Sequence, residues 1–433
     1  MNVEGGLVER LRTSLFVVPL AFVLGAVAAA QVSLVVDRNI GDGDELPFNL
    51  AATVESAREV LSTVAGATIT FAGIAFSVSL LVIQRTGAQY SPRVVPNLFR
   101  DRFNTRVMGL VVGTFTYCLI VLRSVRGALD DAGEPVVPHL SVAIAVLLGV
   151  VAVLAIVAFI DHSAHSMDVS EILRRVADAA AAETERSWPD AVGAAPAPRS
   201  TPDGDGTVVR LDRDGWIQGI DLDAMAAVLP AGATLRLDVA VGRYAVPGTP
   251  LGTLWPPLGS GPADELAARL RRALRIGPSR TLSGDPLHGL RQLADVGIRA
   301  LSPGVNDPTT AQDAIFHLVG LLAVQLHRAP TTSWDGPDDQ VVLLDKAPAA
   351  ADMVDLAFDE LRRDAATNPA VSVYLLEALH LLHRSLAGGG PQDAVEAIDR
   401  QAALVVATAA AAGLIDADLS TVTGAHAARF DPS

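Results

Sequence analysis

The sequence predicts an α-helical membrane protein in which four transmembrane helices precede a cytosolic α+β region made of a small β module and a helical domain. Three observations carry this expectation. Four apolar stretches, roughly residues 15–36, 60–83, 107–122 and 140–160, crowd the first 160 of 433 residues, with nothing comparable later. All but the short third one meet the length of about 20 apolar residues needed to cross a bilayer core. Beyond residue 207 the pattern changes, first to short alternating runs and then to helical spacing.

Composition agrees with a membrane-embedded chain. Mean hydropathy is +0.37, and hydrophobic residues make up 50% although aromatics are only 5%. The single cysteine, Cys118, lies inside the third stretch, so neither an intrachain disulfide nor a cysteine-based metal site is available. A net charge of −15 argues against general nucleic-acid binding, which wants a basic face.

Arginines orient the spans. The segment 37–59 holds six acidic residues against two arginines, whereas the segment after the second stretch holds Arg85, Arg93, Arg100, Arg102 and Arg106 against Asp101. Positively charged loops stay cytoplasmic, which predicts a chain that starts inside, crosses four times and ends inside. The first stretch has a second reading as a cleaved signal peptide, with Arg10 and Arg12 as its basic region and Ala28-Ala29-Ala30 as the cleavage site.

The second stretch differs from the others. Thr63, Thr70 and Ser77 recur every seven residues, as do Gly66 and Gly73, so small and hydroxylated side chains form stripes along one helix. They suit the wall of a permeation path, or else close helix packing with hydroxyls bonded to the preceding turn. No charged residue interrupts any stretch, so the coupling carboxylate of many pumps is missing. After this stretch, Val94, Val95, Leu98, Phe99 and Phe103 interleave with the arginines listed above. That spacing predicts a helix in the cytoplasmic interface with anionic lipid headgroups as neighbours.

The expected domains are a four-helix membrane domain (1–167), a connecting helix and Pro/Gly-rich linker (168–206), a β module (207–260) and a mainly helical domain (261–433). The linker rests on four prolines and three glycines between positions 189 and 206. Past residue 264 everything is expected to be helical except a short strand at 341–344. Asp285-Pro286 and Asp307-Pro308 repeat one helix-start signal, an N-cap aspartate before a proline at the first helical position. Between them lies Ser302-Pro303-Gly304-Val305-Asn306-Asp307, a tight turn feeding a capped helix. With Arg280 and Arg299 nearby, Ser302, Asn306, Asp307 and Thr309 form a candidate anion-binding corner, the alternative being a rigid corner that bonds to its own backbone.

Two histidine clusters suggest metal or pH chemistry. Glu377, His380 and His383 share one helix face, with Asp355, Asp359 and Glu360 available from the helix before it, but the second Glu-x-x-His of a dimetal bundle is missing. Asp161, His162 and His165 follow the fourth stretch as a polar collar or membrane anchor. No metal and no cofactor is therefore expected. Phosphate-loop, dinucleotide, zincin and nucleophile-elbow motifs are all missing, which argues against an enzyme.

The chain resembles a known group. Arg280-Thr281, Asp285-Pro286, Leu293-Ala294-Asp295 and the run Arg299-Ala300-Leu301-Ser302-Pro303-Gly304-Val305-Asn306-Asp307-Pro308-Thr309 look like the signature of predicted bacterial membrane proteins grouped as domain of unknown function 2254. Phe76-Ser77, Tyr90-Ser91-Pro92-Arg93, Phe99-Arg100-Asp101, Phe115-Thr116-Tyr117 and Gly215-Trp216-Ile217-Gln218-Gly219-Ile220-Asp221 fit as well. Gly284 and His288 depart from the pattern, where glutamine and an aromatic are expected. The resemblance implies four spans and a cytosolic domain in the bacterial inner membrane, and supplies no reaction. The preferred expectation is a homo-oligomeric, channel-like pore with a cytosolic gate. The alternative is a membrane-anchored sensor or scaffold that binds a small anion or a partner protein.

Overall fold

A computed structural model describes residues 17–40, 53–89, 102–125, 137–165, 168–189, 200–258 and 260–431. The chain divides into two compact units at residues 168/169.

The first unit holds α1 (Val17–Ile40), α2 (Val54–Gln89), α3 (Arg102–Ser124) and α4 (His139–His165). Each contains a segment long and apolar enough to cross a membrane: 17–39, 54–81, 103–124 and 139–163. The third apolar run is short only because counting stops at the arginines; the helix itself continues through Arg106 and Arg123. In lipid, helices associate through close fit and polar bonds rather than hydrophobic drive, and both are present. A Cβ on Gly109 would lie 2.6 Å from the Phe22 ring, and one on Gly113 would lie 3.2 Å from the Phe22 carbonyl oxygen. This Gly-x-x-x-Gly pair is what lets α1 and α3 approach so closely. Gly149 does the same for α4 against Val64 of α2.

Polar bonds gather at the end of the bundle where α4 begins. Asp37 accepts from the amides of Leu140 (2.9 Å) and Ser141 (3.0 Å), so α1 caps α4. The Ser141 hydroxyl donates to the same carboxylate at 2.6 Å. Tyr117 donates to the Ser141 carbonyl at 3.2 Å and lies 2.9 Å from the Ser33 hydroxyl. Arg58 closes the other kind of helix end, donating to the Val125 carbonyl just beyond α3 at 3.1 Å. An anion at a helix N-terminus and a cation at a C-terminus both match the helix dipole.

The second unit opens with α5 (Val169–Ser187), which buries Ile172, Leu173, Val176 and Ala180 along one face. Then come β1 (Thr207–Arg210), β2 (Gly215–Ile220), α6 (Leu222–Val228), β3 (Thr234–Leu237), β4 (Tyr244–Ala245), β5 (Pro250–Trp255), α7 (Ser260–Arg272) and β6 (Leu274–Gly277). The remainder is α8 (Pro286–Leu301), α9 (Pro308–Leu326), β7 (Ser333–Asp335), β8 (Val341–Leu344), α10 (Ala350–Ala365), α11 (Pro369–Leu386), α12 (Gln392–Ala411) and α13 (Asp416–Phe430).

The strands form two sheets, ordered β1-β5-β3-β8-β7 and β4-β2-β6. Around them Ile217, Met225, Leu235, Leu237, Leu251, Leu254 and Leu270 are buried together. Two strands beyond residue 264 were not expected. β6 alternates over only four residues, too few to show a period, and gains its definition from antiparallel pairing with β2 (Ile217↔Ile276). β7 is an edge strand of three residues paired to β8. β8 itself pairs in parallel with β3, Thr234 opposite Val341. The β sheets thus draw on residues well past 260.

Among the helices, Asp285, Asp307 and Asn368 each cap a start with proline at the first helical position, so the signal seen twice in the sequence operates three times. Gly289 of α8 brings that helix against α5, since a Cβ there would overlap Ala180.

Candidate functional site

Asp285 ends a loop that leaves β6 and starts α8, and its carboxylate does two jobs. One oxygen accepts from the His288 amide at 3.2 Å and caps the helix. The other accepts from Arg280 Nε at 3.0 Å and Nη2 at 2.7 Å. Asp285 is buried and Arg280 is partly exposed. Gly242 stands over this pair with φ +81°, and a Cβ there would sit 2.4 Å from the carboxylate and 2.8 Å from the guanidinium. Only glycine supplies that conformation without a side chain in the way.

The loop is held from both sides. The Gly284 amide donates to Glu183 of α5 at 2.7 Å, and Gln218 of β2 donates to the Ser279 carbonyl at 2.7 Å. The Arg280 guanidinium lies 5.9 Å from the centre of the Trp216 ring, which meets Tyr244 edge-on at 5.4 Å. Tyr244 is held in turn by Asp214, to which its hydroxyl donates at 3.0 Å. Arg275 of β6 donates to the Gln218 carbonyl at 3.2 Å and approaches the Ser283 hydroxyl at 3.5 Å. Arg243 completes the set. It is exposed, and it lies close enough to favour the charged form of Asp285 along with Arg280. Burial prevails over both, and the Asp285 carboxyl is pushed above the usual carboxylate range. Three arginines and two aromatic rings therefore surround one loop in a chain of net charge −15.

The corner at 302–309 is elsewhere. α8 is 16 residues long, about 24 Å at 1.5 Å per residue, and separates Arg280 at its start from Ser302 at its end. The corner is bonded to itself. Asp307 donates its amide to the Ala300 carbonyl (2.8 Å), Asn306 donates to the Ser302 carbonyl (2.9 Å), and the Ser302 hydroxyl donates to the Arg299 carbonyl (2.6 Å). Asp307 accepts from the Thr310 amide (3.1 Å) and hydroxyl (2.6 Å), and the hydroxyl is what holds its carboxyl below the usual range. Asn306 adopts φ +47°, while Thr309 points to solvent and Arg299 sits half-buried in the last turn of α8. These contacts are those of the self-bonded alternative.

The other sequence candidates are dispersed or committed. Thr63, Gly66, Thr70, Gly73 and Ser77 are all exposed along one face of α2. Thr70 and Ser77 donate to the carbonyls of Gly66 and Gly73 at 2.8 and 2.9 Å. Arg85 and Arg102 lie in α2 and α3, Arg106 is exposed on α3, and Arg93 and Arg100 fall outside the described residues, as does most of the expected interfacial helix. His380, His383 and His426 pack around Phe430, and among the described residues no group of three ligands suits a metal ion. Asp355, Asp359 and Glu360 pair with Arg400, Arg362 and Arg291. His162 packs on Phe103 at 4.8 Å. Signature residue Asp295 joins Arg291 (2.7 Å) in a clamp that reaches Glu360 of α10.

Residues 12–380 match the family described as predicted membrane protein, domain of unknown function 2254 (DUF2254). The chain belongs to this family. Relatives of the DUF2254 chain include uncharacterized proteins of Mycobacterium bovis and Mycobacterium tuberculosis, each 29% identical over 443 residues. The alignment covers 99% of this chain and 82% of either relative. No solved structure matches. The segments by which the DUF2254 resemblance was recognised meet at the Asp285 loop: Trp216 and Gln218 from one, Arg280 and Asp285 from another. The sequence singles out Arg280 but does not display Trp216, Gly242, Arg243 and Arg275 as its companions. The available signal was the arginine–aromatic step Arg243-Tyr244 beside a glycine, opposite a strand carrying Trp216.

Proposed function

We propose that this membrane protein is an anchored sensor whose cytoplasmic domain binds a small anion at the Arg243–Arg275–Arg280 cluster. The observation that carries the reading is Arg243, an exposed arginine whose guanidinium makes no hydrogen bond or salt bridge among the described residues. It stands beside a buried Arg280–Asp285 pair already neutral in sum, so an incoming anion meets uncompensated positive charge on a preorganised loop. The cytoplasmic placement rests on the arginine bias of the segments flanking α2 and α3. Self-bonding of the 302–309 corner commits the Ser302 hydroxyl and the Asp307 carboxylate, which favours the start of α8 over its end as the anion site.

The test is calorimetric titration of the full-length protein in detergent with inorganic phosphate and pyrophosphate. Binding that falls at least ten-fold in Arg243→Ala and Arg275→Ala, and survives Asn306→Ala, supports the site. Absence of anion binding, or loss in Asn306→Ala alone, refutes it.

A second reading, the oligomeric pore, is favoured by one observation. The α2 stripe faces outward, and a Cβ on Gly66 or Gly73 would meet nothing within 4 Å, so that face suits further copies around a shared path. Conductance in planar bilayers that Thr70→Leu/Ser77→Leu removes, with assembly intact, is the result this reading requires.

A further inference from the structure

We propose that the anion is a nucleotide, its phosphates on Arg243 and Arg280 and its base on Tyr244; this rests on the anion-sensor reading above. Phosphate alone would be served by arginines and backbone amides, but here Arg280 stands at the end of a row of rings. From Arg280 to the Trp216 ring is 5.9 Å, and from Trp216 to Tyr244 is 5.4 Å. Trp216 is already covered on one face by Arg280, and it meets Tyr244 at an interplanar angle of 81°. Tyr244 is different. Its side is open, with the residue 52% exposed and Val246 beside it 53% exposed. Its hydroxyl is tethered to Asp214 and its ring packs on Trp216, so the ring is fixed in place before any ligand arrives.

An exposed aromatic ring that cannot swing away loses little conformational freedom on stacking, and stacking accepts any base because every base has a π-face. Arg243 and Tyr244 are consecutive, and both are exposed. Two acids stand near that surface, each with a partner of its own. Asp285 is spent on Arg280 and the helix cap, and Asp214 on the tyrosine hydroxyl. Gly242, by withholding a Cβ, leaves room for the ion pair. A surface that sets arginines beside an exposed, tethered ring favours molecules that combine phosphate with a planar ring.

The experiment titrates full-length protein in detergent with adenosine and guanosine 5′-diphosphates, and with pyrophosphate and ribose 5-phosphate as ring-free comparators. The diphosphates are expected to bind about ten-fold or more tightly than the comparators, the gain typical of one stacked base. Tyr244→Ala should remove that gain while leaving pyrophosphate affinity within two-fold, and Tyr244→Phe should keep it. Equal affinity for nucleotides and pyrophosphate, with Tyr244→Ala silent, would overturn the nucleotide assignment and leave the anion site standing. Binding of none of the four would overturn both.

Discussion

Replacing Arg280 with methionine removes a guanidinium from a buried carboxylate while keeping most of the aliphatic stem beside Trp216. Asp285 then retains the His288 amide and the more distant Arg243 as its only stabilising partners among those described. Breaking one partner out of a buried pair costs about 3–5 kcal/mol. The lower end applies here, because the Arg280 side chain is 23% exposed and Arg243 remains in place. At about 2–4 °C per kcal/mol for a domain of this size, a loss of about 3 kcal/mol lowers the melting temperature by about 6–12 °C. Tryptophan fluorescence is the assay of choice, since Trp188, Trp216, Trp255 and Trp334 all lie in the second unit and report on it alone. The pH dependence supplies a signed control. Burial already raises the Asp285 carboxyl above its unfolded value, and loss of Arg280 raises it further. A carboxyl raised in the folded state favours folding most when protonated, and that contribution is lost as pH climbs from the unfolded value through the folded one. The deficit of Arg280→Met relative to the native protein should therefore shrink on acidification, and Arg280→Met/Asp285→Asn should recover most of it at neutral pH. A shift under about 2 °C, or a deficit that stays flat with pH, would refute the argument that the pair stabilises this loop.

Three further outcomes are expected. Gly109→Leu drives a side chain into Phe22; overpacking of about 1–3 kcal/mol should appear as early loss of the monodisperse peak when detergent-solubilised protein is heated and chromatographed. Asp37→Ala removes the cap of α4, worth about 0.5–2 kcal/mol, and should act in the same assay, whereas Asp37→Asn keeps most of the effect of a native cap. Asp307→Ala should cost about 1 kcal/mol by tryptophan fluorescence and leave anion affinity unchanged. Because the Thr310 hydroxyl holds the Asp307 carboxyl low, its contribution is present above the unfolded value and disappears as pH falls through the folded one, so the variant and the native protein should converge in acid.

Four spans were legible because membrane crossing is written in composition, twenty apolar residues at a time. The starts of α8 and α9 were legible because an aspartate–proline pair encodes a local geometry. What the sequence could not display was convergence. Arg243 and Arg275 sit in a turn and a four-residue strand, and their nearness to Asp285 is decided by the pairing of β2 with β4 and β6, a relation no local window contains. Arg280 was grouped with Ser302 because both flank the same signature, yet a helix of four and a half turns stands between them. The Gly109/Gly113 contact was legible in principle, since the four-residue spacing inside an apolar run is a known packing signal, but the regular stripe on α2 drew attention to glycines that touch nothing.

The parallel pairing of β3 with β8 has a consequence for how this protein is made. The first strands of the β sheets emerge from the ribosome with one edge open, and the strand that seals it is synthesised only after α8 and α9. Until then the edge carries unpaired amides and carbonyls, a template for other strands. A fragment cut after the run of early strands would carry that open edge permanently. Expression of the isolated segment 200–260 is thus a route to aggregates, while any fragment meant to fold must extend at least through Leu344.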